Sequence, residues 1–132
     1  MRVRRAGTET RLGIEVVLDA ETSAGELTIF SLRFQAGERS ARHRHTRELE
    51  TFLVLEGELT IATSEGDALL GPGDTAVLPR GTDHSFAAGQ DGARFLIITT
   101  PGGLEQFFRD IEAGVPADRA ADSAGLTFLD EQ

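Results

Sequence analysis

GERSARHRHTRELETFLVLEG, residues 37–57, is the stretch of this sequence that decides the fold. His43 and His45 stand two residues apart in it, and Glu50 follows five residues after the second histidine. Side chains two residues apart on an extended strand point to the same face of a sheet. We therefore expect the two imidazoles to point the same way.

A second stretch, GDTAVLPRGTDH at residues 73–84, contributes His84, which completes the three histidines of the chain. Around both stretches, short apolar or β-branched runs alternate with turns that contain Gly, Pro or Asp. Turn signals at intervals of about 8–12 residues are typical of a β-sandwich or barrel. Turns are predicted at residues 56–58 and 89–92. We predict strands over residues 12–18, 27–34, 41–45, 51–55, 59–63, 68–70, 75–78, 84–87 and 93–100.

The chain changes character after residue 100. One apolar helix face is indicated by the i, i+3, i+4, i+7 spacing of Leu104, Phe107, Phe108 and Ile111. We predict a helix over about residues 103–113 and a short tail element over 117–129, composed of a second helix and a last strand. Residues 1–11 are polar and are expected to form a frayed or edge arm.

Composition narrows the class of protein. We predict a single domain over residues 1–132 with a barrel core at about 12–100, since this length can bury a core of its own. The net charge of −9 argues against a nucleic-acid partner or an anionic membrane surface. The absence of Cys, Tyr and Lys excludes thiolate, phenol and Schiff-base chemistry. No apolar run could span a membrane and no secretion signal opens the chain, so we expect a cytoplasmic protein.

The two stretches resemble the two motifs of the cupin superfamily. The first motif, G-x5-H-x-H-x4-E-x6-G, is filled by Gly37, His43, His45, Glu50 and Gly57. The second, G-x5-P-x-G-x2-H-x3-N, is filled by Gly73, Pro79, Gly81 and His84, with Ala88 in place of the final Asn. The resemblance implies an all-β fold, the cupin double-stranded β-helix (jelly-roll) barrel with a short C-terminal helical segment. It also implies a homodimer.

A metal site is the second implication of the resemblance, with the ligands His43, His45, Glu50 and His84. Mixed nitrogen and oxygen donors suit one divalent transition metal, which could be Fe, Mn, Ni, Zn, Co or Cu. Four protein ligands would leave coordination positions for water, substrate or O2. Glu48 is the competing carboxylate. The alternative for the histidines is a solvated strand in an Arg-rich stretch.

A substrate pocket is expected near the motifs. We assign to it the side chains of Phe34, Phe52, Phe86, Arg39 and Arg80, with an arginine at the barrel mouth to meet an anionic substrate. The alternatives are core packing for the phenylalanines, and solvation or pairing with acids for the arginines.

Two further pairs of side chains have expected directions. Strand alternation should turn Arg42 and Arg44 away from the histidines. Phe107 and Phe108 are expected to pack the helix against the barrel, and a lid over its mouth is the alternative. Neither pair is assigned to the site.

Three functions remain open. The first choice is an oxygen-using metalloenzyme of the dioxygenase type, acting on a small-molecule substrate with Glu50 as the catalytic side chain. The second is a redox-neutral lyase, isomerase or cyclase, in which the metal is a Lewis acid and Glu50 or a bound water moves the proton. The third is a non-catalytic barrel that binds a small ligand or a metal. The absence of Tyr counts against cupin lyases and epimerases that use a catalytic tyrosine.

Overall fold

A computed structural model describes residues 1–130, and strands dominate it. The two helices and nine strands of this part of the chain are β1 Thr10–Arg11, β2 Ile14–Leu18, β3 Thr28–Phe34, β4 His43–His45, β5 Leu49–Thr63, β6 Gly66–Leu70, β7 Thr75–Leu78, β8 His84–Thr100, α1 Glu105–Glu112, α2 Ala117–Ala124 and β9 Leu126–Phe128. The predicted all-β fold with a C-terminal helical segment is confirmed. None of the helices within residues 1–130 is both long and apolar enough to cross a bilayer.

The strands form one antiparallel sheet that curls around an interior, and β8 runs through its middle. Residues 93–99 of β8 pair with β3 on one side and with the first half of β5 on the other. Residues 84–88 pair with the second half of β5, and His84 pairs with His43 of β4. β6 and β7 pair with β5 alone. This pairing brings the strands of both sequence motifs to one interior.

Two of the predicted turns are wrong, because β5 and β8 are continuous strands. The glycines that suggested turns lie opposite each other where the two strands bend, and the register shifts on both sides of Gly57. A Cβ atom on Gly57 would overlap the carbonyl oxygen of Gly92, and both residues have positive φ angles. Glycine is therefore required here for a close approach of two backbones within the sheet. In the sequence, such a glycine looks the same as the glycine of a turn.

Alternate residues of the long strands fill the interior. Phe30, Phe52 and Phe95 are at most 2% exposed, and they belong to one hydrophobic cluster that extends through Leu59 and Ile61. Burying one such side chain contributes about 1.5–3 kcal/mol of transfer free energy. The alternation of apolar and polar residues thus fixes which face of each strand points inward.

The chain ends are attached to the sheet. The last strand, β9, pairs with β4 in antiparallel register. The buried carboxylate of Glu105, at the start of α1, accepts hydrogen bonds from the Thr28 hydroxyl (2.7 Å) and the Ala20 amide (2.7 Å). In the N-terminal arm, Arg4 donates to Asp19 (2.6 Å) and to Glu9 (2.9 Å). The arm is therefore the predicted edge arm rather than a frayed end.

Candidate metal centre

Two strands, β4 and β8, bring the histidines together. His43 and His45 point inward from β4, and His84 lies opposite His43 at the start of β8. One ligand atom of each imidazole lies within 4.8 Å of those of the other two, and all three side chains are buried. The predicted convergence of the three imidazoles is therefore present in the fold.

Glu50, at the start of β5, reaches the same point. Its Oε1 lies 2.9 Å from His84 Nε2, and its Oε2 lies 3.5 Å from His45 Nε2. The residue is 3% exposed. The other candidate carboxylate, Glu48, instead faces the opposite ring nitrogen of His45, with Oε1 3.9 Å from Nδ1. The geometry thus favours Glu50, whose carboxylate contacts two of the three imidazoles, over Glu48.

Backbone carbonyl groups set the tautomers of two histidines. Nδ1 of His43 donates to the Ala41 carbonyl oxygen at 2.7 Å, and Nδ1 of His84 donates to that of Thr82 at 2.9 Å. Since a carbonyl oxygen can only accept, Nδ1 carries the proton in both rings. Each Nε2 therefore presents a lone pair toward the centre, which is the arrangement that metal-ligating histidines use.

Burial and the contacts between the candidate ligands together set the protonation states of these groups. Burial, with the neighbouring His84 second, lowers the pKa of His43 to about 4. Burial also lowers the pKa of His45. Burial alone would raise the pKa of Glu50, but the imidazoles of His84 and His45 outweigh it and lower that pKa. For His84, burial opposes the charged form and the Glu50 carboxylate outweighs it, so the pKa is raised. A metal would displace that proton, because ligands bind deprotonated.

Several buried polar atoms of the centre have no hydrogen-bond partner in the described structure. They include both ring nitrogens of His45, whereas Nε2 of His84 and Oε1 of Glu50 face each other at 2.9 Å without a well-aligned hydrogen bond. Leaving each such atom unpaired costs about 1–3 kcal/mol. A divalent cation at the centre would satisfy them together, and three imidazoles with one carboxylate suit a transition metal. The residues present therefore fit the ligand set that the motifs predict.

An apolar cavity of about 190 Å³ adjoins the centre. Two of the predicted pocket residues, Phe34 and Phe86, line it together with His43, His45 and Glu50. Their rings stack with centroids 5.6 Å apart. The cavity is thus open to the candidate ligands at one end and aromatic along its wall.

The other three predicted pocket residues lie outside this lining. Phe52 is fully buried, and its ring packs in the core against Phe95 behind His84. Arg39 is exposed on the segment before β4. Arg80 is also exposed, and its guanidinium donates to the backbone carbonyl of Arg47 at 2.7 Å. Phe52 lies in the core because alternation gives the face of a side chain but not its depth. Both arginines lie on the surface, and their place at the barrel mouth stays a prediction.

Part of the cavity wall was not assigned from the sequence. It comes from the C-terminal segment and consists of Leu104, Phe107, Phe108, Leu126 and Phe128. The register of β9 against β4 puts Leu126 beside His45 and Phe128 beside His43. The apolar stripe of α1 predicted that the helix packs on the barrel, but not that its side chains line the cavity. The two-residue spacing of Leu126 and Phe128 is the signal that could have indicated an inward face.

The outward side of β4 agrees with the predicted alternation. Arg44 donates to Asp83 at 3.0 Å, and Arg42 lies 3.9 Å from the same carboxylate. Both arginines therefore point away from the histidines, as expected.

A family model described as a cupin domain matches residues 30–99, which is more than half of the chain. The chain is a cupin. The described strands, the two motifs and the curled antiparallel sheet of this cupin agree with that family and with the jelly-roll barrel it implies.

One curated relative and several solved structures resemble this cupin. It is 30% identical over 96 residues to a quercetin 2,3-dioxygenase of Bacillus subtilis (strain 168), over 73% of this chain. It spans only 28% of the length of that relative. An uncharacterized protein with a double-stranded β-helix domain from Klebsiella pneumoniae is 20% identical, with a TM-score of 0.64 over 98% of this chain and 92% of that one. The polyketide cyclase RemF of Streptomyces resistomycificus is 22% identical, with a TM-score of 0.63 over 76% and 78%. The two structures show the fold alone.

Proposed function

We propose that this cupin is a metal-dependent enzyme of the dioxygenase type that acts on a small molecule. The observation that carries the proposal is the convergence of three imidazoles and one carboxylate, with unpaired buried donor atoms, at the end of an apolar cavity. His43, His45, Glu50 and His84 would hold one divalent transition metal. The cytoplasmic location stays a prediction.

Each residue of the centre has a role that follows from its surroundings. When bound, a metal supplies a Lewis acid and, if it is redox-active, the electron transfer that reaction with O2 needs. The Ala41 and Thr82 carbonyls hold His43 and His84 in the orientation and tautomer for binding. Glu50 lies beside His84 in the same interior and can hold or accept a proton there. The apolar wall excludes water.

Two observations favour the dioxygenase type as the first choice. The named relative is a dioxygenase, at the identity and coverage given above. The cavity is also apolar, so it can hold an apolar substrate and O2 while water is largely excluded. A redox-neutral lyase, isomerase or cyclase is the second candidate, because the Glu50 carboxylate alone could move a proton within the cavity.

Oxygen consumption tests the proposal directly. The protein is first purified without tag or chelator and its metal content measured, then reloaded separately with Fe(II), Mn(II) and Ni(II). Each form is incubated with phenolic and enolic substrates in an oxygen electrode, and products are analysed after reaction under labelled O2. We expect both oxygen atoms in the product, with no external reductant. Turnover that persists under argon would support the redox-neutral candidate, whereas ligand binding without any product would support a non-catalytic barrel.

A further inference from the structure

We infer that the cavity binds a molecule of one ring, with an apolar body and a single oxygen-bearing end, and that the C-terminal segment sets this size limit. The inference rests on the proposed function in one respect, since it takes the cavity beside the candidate metal centre as the ligand site. It goes further by naming the ligand class and the residues that select it.

The volume of the cavity gives the size limit. It is about 190 Å³. An engineered protein cavity of about 150 Å³ lined by Leu, Ile and Phe binds benzene, whereas pockets for drug-sized ligands have about 300–1,000 Å³. A substituted single ring therefore fits, but a flavonol with three rings, such as quercetin, exceeds the space.

The lining determines the chemistry of the ligand. Among residues 1–130, Ser40 contributes the only polar side chain of the wall apart from His43, His45 and Glu50. Its hydroxyl is already engaged, since it donates to the Ala41 carbonyl (3.0 Å) and accepts from the Phe86 amide (3.0 Å). No arginine lines the cavity. A sugar phosphate or a small dicarboxylate would find no polar partner for the groups that point away from the centre, at about 1–3 kcal/mol for each unpaired group.

The polar groups also orient the ligand. All the unsatisfied donors and acceptors of the lining lie at the end formed by β4 and Glu50. The rest of the wall is apolar and largely aromatic, and Phe86, whose ring lies 6.1 Å from that of His43, stacks on Phe34 with an interplanar angle of 18°. An oxygen-bearing group would point to the centre and the ring would lie among the phenylalanines, where aromatic contacts add about 0.5–1.5 kcal/mol beyond area burial.

Three phenylalanines of the C-terminal segment limit the cavity on its remaining side. The rings of Phe107 and Phe108 lie 5.2 Å apart, and Phe108 meets Phe30 of the barrel edge to face at 5.6 Å. Phe128 is 51% exposed and packs against Phe107 at 6.2 Å. Phe108 joins the segment to the barrel wall without contacting the histidine rings, so shortening it should enlarge the cavity and leave the metal ligands in place.

Binding measurements under argon separate the size limit from catalysis. The protein is loaded with Zn(II), which has no redox chemistry, and titrated calorimetrically with catechol, quercetin and oxalate. All three can chelate a metal through paired oxygen atoms. They differ mainly in the rest of the molecule, which has one ring in catechol, three in quercetin and none in oxalate. We expect saturable binding of catechol at one site per chain, with quercetin and oxalate at least about 10-fold weaker, a difference of about 1.4 kcal/mol.

Variants at Phe108 identify the wall that selects the ligand. Phe108→Ala should bind quercetin at least about 10-fold more tightly than the wild type does and should weaken catechol binding, while Phe108→Leu should change both less. Zinc content and melting temperature of each variant check that the centre and the fold are intact. Tight binding of quercetin or oxalate to the wild type, or no binding of catechol to the zinc-loaded protein, would overturn the inference. Catechol binding without turnover by any of the metal-reloaded forms would support the single-ring ligand and count against the proposed enzymatic activity.

Discussion

His84 makes a close contact with another candidate ligand of the metal centre, with Nε2 2.9 Å from Glu50 Oε1. Its position at the start of β8 is 1% exposed, so the ring has no water to replace a lost partner. We expect His84→Ala to lower metal affinity more than about 100-fold, because even changes to the residues behind a ligand cost about 10–100-fold. Metal content after dialysis, measured by mass spectrometry, should fall from near one per chain to a small fraction.

A control on β4 makes this result specific. Arg44→Ala removes an outward side chain that pairs with Asp83, and it should leave both the metal content and the circular dichroism unchanged. His43→Ala should behave like His84→Ala and retain the β signature. Full metal occupancy in either histidine variant would show that the ligand assignment is wrong.

The spacing of the motif residues predicted the candidate metal centre but not the lining of the pocket, and the positions of these residues show why. The side chains of His43 and His45 share a face because strands have a period of two, and the fold brings them to His84 and Glu50. Phe52 has the same parity as Glu50 and yet lies in the core. How deep a side chain lies depends on the elements packed over it. Arg39 and Arg80 lie on the surface outside the cavity lining, and their contact with a substrate stays a prediction.

At the scale of the elements, the pairing of β5 with β8 depends on a close backbone approach between Gly57 and Gly92. Gly57→Ala would force the backbone apart, because its Cβ would overlap the Gly92 carbonyl. We expect a loss of more than about 3 kcal/mol in the free energy of unfolding, measured by urea denaturation. Gly73→Ala is the control: its φ is also positive (+87°) but nothing lies within 4 Å, so it should lose only the strain of about 1–2 kcal/mol. Equal losses in the two variants would contradict the close approach.

The N-terminal arm and α1 are held together by Glu9. Its carboxylate accepts two hydrogen bonds from Arg109 (both 2.9 Å), one from Arg4 (2.9 Å) and one from Arg11 (2.8 Å). The hydrogen bonds from Arg109 lower the pKa of Glu9 most. Burial acts in the opposite direction, but the hydrogen bond from Arg11 adds to the lowering, and the resulting pKa is about 2. A carboxylate whose pKa falls on folding stabilises the fold above its unfolded pKa of 4.5, and this contribution is lost as the pH drops from 4.5 toward 2.

Glu9→Gln should therefore destabilise the protein in a pH-dependent way. At pH 7 we expect a loss of about 1.5–3 kcal/mol, the usual range for hydrogen bonds to a charged group. Between pH 4.5 and 2 the difference between wild type and variant should shrink, as followed by thermal unfolding at several pH values. Glu15→Gln, which changes an exposed acceptor of the Gly7 amide, is the control for general acid effects. A difference that stays constant with pH would mean that the charge of Glu9 is not responsible.

At the scale of the whole molecule, the sequence alone could not predict where the C-terminal segment packs on the barrel. The strand pattern predicted a sandwich or barrel, because local periodicity specifies strands and their inward faces, and the resemblance of the motifs to the cupin superfamily implied the jelly roll. The pairing of His43 with Phe128 joins residues far apart in the chain, and no local pattern specifies such a contact. The C-terminal segment thus acquires its role as a cavity wall only through the tertiary fold.

The homodimer expected from the family resemblance stays a prediction, and the outer face of the sheet offers a place for it. Eight outward residues form two adjacent rows across β7, β5, β8 and β3, and none is buried or charged: Val77, Thr51, Ile98 and Ile29, then Thr75, Leu53, Leu96 and Ser31. The chain carries a net charge of −9, so two copies repel each other elsewhere. An uncharged patch that meets itself across a twofold axis avoids this repulsion.

Sedimentation decides the matter, since one chain has a mass of 14.2 kDa. We expect the wild type at twice this mass and Leu96→Glu at the mass of one chain, because the variant places two carboxylates against each other in the middle of the apolar rows. Leu69→Glu, at a position 66% exposed on β6 and outside the rows, adds the same charge and should remain dimeric. Circular dichroism should be alike in all three proteins. A wild type that sediments as a monomer would refute the dimer, and loss of the dimer in Leu69→Glu alone would move the interface to the edge formed by β6.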